Sequence, residues 1–179
     1  MYKQIPIKSL LYYGTVTPFS QINLNKGRNF KDFGKGFYLA YLKKQSINIA
    51  NKYRQNNKGT PVVYTYEVIQ SEYENLWYAG RVKYFNCADY EWLDFILKSR
   101  TTRGIWHNYD IVIGPTADDN TYLVFNNYFE GTYGDPFSLR AKDILLYNLE
   151  TANLGTQVFI ATQEGLKILN QKTRKVEKL

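Results

Sequence analysis

The residues predict an α+β domain: two packed, antiparallel-rich sheets with flanking helices and a cleft between the sheets. Three observations lead there. Aromatic residues make up 17% of the chain, 17 of them Tyr, and they fall in short runs separated by Gly, Asn and Pro, the punctuation of brief strands. Helical spacing is confined to a few segments. Those segments do not alternate regularly with the strands, which favours α+β over a doubly wound α/β sheet, and many short strands with few helices favour sheets packed face to face.

In chain order, strands are predicted at residues 9–13, 36–40, 62–68, 82–85, 110–113 and 157–160. A helix at 43–55 rests on Ile47, Ala50 and Tyr53 at three-residue steps, and one at 88–98 on Trp92, Phe95, Ile96 and Leu97, which gather on one face. Further helices are predicted at 120–129, 136–146 and 163–169. Neither an internal repeat nor a low-complexity linker interrupts the chain. Residues 1–170 therefore read as one domain, and 171–179 as a basic tail expected to fray.

A chain of 179 residues with 44% hydrophobic content matches the size of one domain and supplies enough apolar side chains for a core, which excludes wholesale disorder. No apolar stretch approaches the ~18 residues that span a bilayer, and residues 1–14 lack the apolar core and cleavage site of a secretory signal. A soluble protein without a membrane partner is expected. The single cysteine, Cys87, excludes an internal disulfide, and with one histidine, His107, there are too few thiolates and imidazoles for the common zinc sites. No metal is expected, and the cytoplasm fits this cysteine usage.

The net charge of +7 is unevenly spread. Residues 1–60 carry eleven Lys/Arg against the single acid Asp32, residues 61–166 carry seven against fourteen acids, and residues 167–179 carry five against one. A basic segment facing an acidic remainder fits an anionic ligand such as a phosphate; a solvated basic face explains the same charges.

Three segments stand out: Leu11-Tyr12-Tyr13-Gly14-Thr15, Lys31-Asp32-Phe33-Gly34-Lys35-Gly36-Phe37-Tyr38-Leu39, and Thr156-Gln157-Val158-Phe159-Ile160. Gly34 and Gly36 remove side chains where a backbone can approach a ligand. Phe37 and Tyr38 follow on an extended segment, so alternation sends one ring to the core and the other to a cleft, where it can stack on a flat ligand. The glycine run fits neither the dinucleotide-fold nor the Walker pattern.

Together these segments resemble the ADP-ribosyltransferase superfamily, in its diphtheria-toxin and poly-ADP-ribose-polymerase branch, whose "GKGIYF" motif is similar to residues 34–39. A closer resemblance is to a family of small bacterial proteins that pair "LYHGT" with "KGR…KDFGKGFYL", and it continues through Lys26-Gly27-Arg28, Trp92-Leu93-Asp94-Phe95 and Tyr109–Pro115 to Leu169. The resemblance implies a split β-sandwich of the ADP-ribosyltransferase type and NAD as the substrate. It implies that Gly14 holds the nicotinamide carboxamide through its backbone, with Thr15 supporting the turn and Ser46 adding a hydroxyl. Tyr38 falls on the tyrosine that stacks on nicotinamide, after Gly36 and Phe37 of the same motif, and Gln157 on the third-motif glutamate. Tyr13 stands where histidine is usual and Ile49 where a second aromatic is often found. Lys26, Arg28 and Lys35 are candidates for the pyrophosphate, and solvated turn residues explain them equally.

Transfer of ADP-ribose from NAD to a macromolecular acceptor is the activity implied, as in intracellular bacterial toxins paired with an antitoxin protein. NAD glycohydrolysis and a catalytically inactive NAD-binding or interaction module stay open, and so does the acceptor: protein, DNA, RNA or small molecule. Catalysis is expected of Tyr38, Gln157 and Tyr13. A neutral amide at 157 offers a weaker bond than a carboxylate, so, given the role the resemblance implies for Gln157, either a slower glycosidic cleavage or a helper acid nearby is expected, and Gln157→Glu is expected to leave the rate equal or higher. Glu164 is the nearest acid in sequence but reads better as a solvated helix residue. His107 reads better as a packing or surface residue than as a base, and Asp118-Asp119-Asn120 as a helix N-cap. Nothing near Cys87 would lower its pKa. Trp77, Trp92 and Trp106 read as core or rim anchors.

Overall fold

The computed structural model describes residues 6–56, 59–116, 121–149 and 154–179. Its elements run β1 (Leu10–Thr15), a 3-10 turn (Leu24–Lys26), β2 (Phe37–Ala40), α1 (Lys43–Asn56), β3 (Val62–Glu67), α2 (Gln70–Tyr78), β4 (Val82–Tyr84), α3 (Tyr90–Thr101), β5 (Ile111–Pro115), α4 (Tyr122–Phe129), α5 (Leu139–Asn148), β6 (Thr156–Ile160), α6 (Gln163–Leu166) and β7 (Lys175–Lys178). The α+β class holds. Helix α3 begins where Asp89 accepts from the Trp92 N–H, α5 where Ser138 accepts from Ala141, and α6 where Thr162 accepts from Gly165. The proposed cap at Asp118–Asn120 lies outside the described residues.

The two packed sheets expected from the sequence are instead one mixed sheet of seven strands, in the order β4-β5-β6-β2-β1-β3-β7. Among the described strand pairs only β4 and β5 are parallel. The reason lies in the central strands: Ile111, Val112 and Ile113 of β5 and Val158, Phe159 and Ile160 of β6 are all fully buried. Strands apolar on both faces need cover on both. Here one face packs on α3, α4 and α5 through Trp92, Phe95, Phe125, Leu145, Val112 and Phe159, while the other packs with α2 and the segment after α6 through Leu11, Phe37, Tyr64, Tyr73, Ile111 and Leu169.

Strand β6 is inserted between β2 and β5, with four registered pairs to the first and five to the second. Between β1 and β2 only Tyr12↔Ala40 is in register, so the sheet nearly divides there. The basic tail is also corrected: Lys175–Lys178 pairs with β3 from Val62 to Thr65, and Lys43 of α1 reaches Glu177 at 2.5 Å. The β3 edge would otherwise present unpaired backbone groups, and β7 covers it. Among the described residues no helix is long and apolar enough to cross a membrane.

Candidate functional site

The segment from Asn29 to Gly36 is pinned from several sides. Gly34 takes φ +103°, a conformation open mainly to glycine. The Tyr38 hydroxyl donates to the Gly34 carbonyl at 2.7 Å and accepts from the Phe33 N–H at 3.0 Å, so Tyr38 staples its own loop. Burial, and then the charge of Asp32, push the Tyr38 phenol well above its ordinary pKa. His107 Nε2 donates to the Phe33 carbonyl at 3.0 Å while its Nδ1 accepts from the Tyr109 N–H. That pattern defines a neutral imidazole, and burial lowers its pKa accordingly. Gly104 completes the anchorage, accepting from the Lys35 N–H and donating to Asn29 Oδ1.

This loop delivers Asp32, 5% exposed, onto β6. Its Oδ1 accepts from Arg100 Nε at 3.1 Å and Nη2 at 2.6 Å, and its Oδ2 accepts from Gln157 Nε2 at 2.8 Å. Arg100 comes from the end of α3 and lies 4.0 Å from the centre of the Phe125 ring, so the buried carboxylate is matched by a cation that is itself packed. Gln157 Nε2 also lies 3.4 Å from the Pro115 carbonyl. The acid nearest Gln157 is therefore Asp32, 125 positions away in sequence. Glu164 is exposed and pairs with Lys167 at 2.7 Å.

Register fixes which side chains share a face. Ala40 opposes both Tyr12 and Gln157, and Tyr38 opposes Phe159, so Tyr12, Gly14, Tyr38, Gln157 and Phe159 lie on one side of the sheet. Had the β1–β2 ladder continued, Gly14 would oppose Tyr38; it stops two pairs earlier, at Tyr12↔Ala40, and at Gly14 the strand is paired with β3 alone. Further along β2, Gly27 packs against the Gly36 backbone, and Gly36 in turn lies against Phe159 and Ile160. Helix α1 presses onto Gly14 so tightly that a Cβ there would sit 1.9 Å from the Ser46 carbonyl oxygen. Ser46 is 1% exposed, and among the described residues its Oγ has no hydrogen-bond partner.

Tyr13 goes elsewhere. Its ring lies 4.6 Å from that of Phe37 and 5.6 Å from Phe19, and Phe37 points away from Tyr38 by strand alternation. The structure thus groups Gly14, Ser46, Tyr38 and Gln157 but places Tyr13 on the opposite side. Burial, followed by the nearby Tyr53, raises the Tyr13 phenol pKa, while Thr15 and Arg28 act in the other direction. Thr15 is buried and accepts from the Thr17 N–H at 3.1 Å. Ile49 is 43% exposed.

Lys26 lines a surface groove of about 500 Å³ with Phe19, Gln21, Asn23 and Gln163, apart from Tyr38 and Gln157. Exposed Cys87 has its thiol pKa raised by desolvation and by Asp89. Trp92 is fully buried and donates to the Pro115 carbonyl, and Trp106 donates to Ser99 Oγ. Among the described residues no group of three or more His, Cys, Asp or Glu is placed to hold a metal ion. Sequence reasoning missed Asp32 and Arg100 as parts of this site. The available signal was a lone acid among eleven basic residues in 1–60, seated inside the most informative motif.

No curated protein and no solved structure matches the chain. One family model does match, over residues 9–171, and since that spans nearly the whole sheet and the site built on it, the chain belongs to the family described as protein of unknown function (DUF3990).

Proposed function

We propose that the protein binds NAD on the Gly14–Tyr38–Gln157 face and transfers ADP-ribose to a macromolecular acceptor. The observation that supports this most is the parting of β1 from β2 before Gly14 would come to oppose Tyr38. A strand that has lost one neighbour offers backbone donors and acceptors in a fixed array, which suits a carboxamide. The unpartnered Ser46 Oγ beside Gly14 supports the fit, because a buried hydroxyl without a partner is costly until a ligand supplies one. Tyr38, held by its own loop, offers a ring of fixed orientation for stacking.

In the reaction the N-glycosidic bond breaks with its electron pair leaving on nicotinamide. The acceptor's nucleophile forms the new bond at the anomeric carbon and releases its proton. Gly14 and Ser46 hold the amide, Tyr38 holds the ring, and Gln157 orients the ribose while positive charge develops there. A second reading, an NAD-binding module without turnover, is favoured by the neutral amide at 157 and by Tyr13 facing away. Water as acceptor would make the same site a glycohydrolase.

Calorimetric titration with NAD tests the binding step, and chromatography of released nicotinamide tests turnover. Tyr38→Ala is expected to weaken NAD binding by about 1–2 kcal/mol through lost stacking and apolar contact. Absence of heat at millimolar NAD from a folded protein overturns the reading. Labelled NAD incubated with a cell lysate identifies the acceptor by the fraction that takes up label, and growth arrest on expression, relieved by a neighbouring gene, tests use as a toxin.

A further inference from the structure

We infer that Asp32 is a positioning residue that orients Gln157 so that its amide oxygen, and not its amide nitrogen, meets a hydroxyl of the ligand. The inference rests on the NAD reading above and concerns how the neutral side chain at 157 serves it.

Gln157 Nε2 carries two hydrogens and faces two acceptors, Asp32 Oδ2 at 2.8 Å and the Pro115 carbonyl at 3.4 Å. The flipped amide would set Oε1 against a carboxylate oxygen, so the chemistry of the neighbours fixes the orientation. Gln157 is half-buried, and among the described residues nothing donates to its Oε1. That oxygen is the end left for a ligand, and it can only accept. A hydroxyl donor, such as a ribose hydroxyl, is the complementary group.

Asp32 does this without being neutralised at the wrong atom. Arg100 donates to Oδ1 through Nε and Nη2, and Oδ2 accepts from Gln157. A bond from an amide N–H to a carboxylate is charge-assisted, and it polarises the amide so that Oε1 becomes the better acceptor. The carboxylate therefore stands one residue behind the position where the resemblance places it. A glutamate at 157 would bring two carboxylates within hydrogen-bond distance of each other, and such a pair resists double ionisation.

The test is an exchange of the two groups, with nicotinamide release, calorimetric NAD binding and urea unfolding measured on each protein. Asp32→Asn and Gln157→Glu are each expected to lower the rate of nicotinamide release by about ten-fold or more, the loss of one oriented bond to a developing charge. The double variant Asp32→Asn/Gln157→Glu, in which an amide again donates to a carboxylate, is expected to recover most of that loss. Gln157→Glu alone should gain a new pH dependence as its carboxylate pair shares a proton. A Gln157→Glu rate at or above wild type overturns the inference, as does a double variant no faster than the slower single one, including the case where only its unfolding stability recovers. If Asp32→Asn does not fold, the rate and pH profile of Gln157→Glu decide alone. A wild type that neither binds NAD nor releases nicotinamide sinks the NAD reading itself, and this inference with it.

Discussion

The Tyr38 hydroxyl serves two backbone groups of its own loop, and its loss separates a structural role from a ligand role. Tyr38→Phe keeps the ring but leaves the Phe33 N–H and the Gly34 carbonyl without their partner. We expect it to lower unfolding stability by about 1–3 kcal/mol in urea titration, the cost of stranded buried polar groups, while stacking against a bound ring is retained. The same scale shows what a sequence can and cannot tell. The motif around Gly34 and Gly36 marked the loop, because those glycines are visible as letters. The bond from Gln157 to Asp32 was not legible: it joins residues 125 apart, and no local pattern encodes that pairing. This is why the substitution expected from the residues to help, Gln157→Glu, is here expected to harm.

Among the elements, the six strands predicted from short aromatic runs all exist, with ends shifted by at most two residues. Helix α2 was missed. Its buried residues Tyr73 and Leu76 are three apart, but it starts at Ile69 without a side-chain cap, so both usual signals were faint. Strand β7 was missed because Lys175–Lys178 is exposed throughout; what places it is the vacant edge of β3, a tertiary demand. Truncation after Lys172 is therefore expected to lower the melting temperature and to cause concentration-dependent self-association, read by size-exclusion chromatography, because the β3 edge becomes a template for another chain. At the crossing of α1 and β1, Gly14→Ala would place a methyl 1.9 Å from the Ser46 carbonyl oxygen. Helix α1 must then shift, and a loss of roughly 1–3 kcal/mol in urea titration is expected from such overpacking.

At the scale of the whole molecule, half-buried His107 and buried Asp110 divide the response to acid. His107 is held neutral with its pKa below the ordinary 6.5, so the unfolded chain binds more protons once pH falls under that value, and stability declines through that window. Asp110, bound by Arg81 at 2.8 Å and 2.9 Å and by Thr162 at 2.6 Å, has its pKa lowered chiefly by Arg81. Its contribution is present above 3.8 and fades only as pH falls further. Urea midpoints should thus drop below about pH 6.5, and His107→Gln should remove that slope while leaving in place the loss that Asp110 adds below 3.8. Finally, the insertion of β6 between β2 and β5 has a kinetic consequence. The central ladder joins segments more than a hundred residues apart, so its closure carries a large loop entropy and is expected to be slow among domains of this size. During synthesis, the first three strands emerge early and can pair only at β1–β2 and β1–β3. The strand that carries Gln157 leaves the ribosome more than a hundred residues after the Gly14 and Tyr38 segments. Until then the nascent chain has those two segments but no third wall for the site, and whatever chemistry the finished protein performs there is withheld until β6 has emerged.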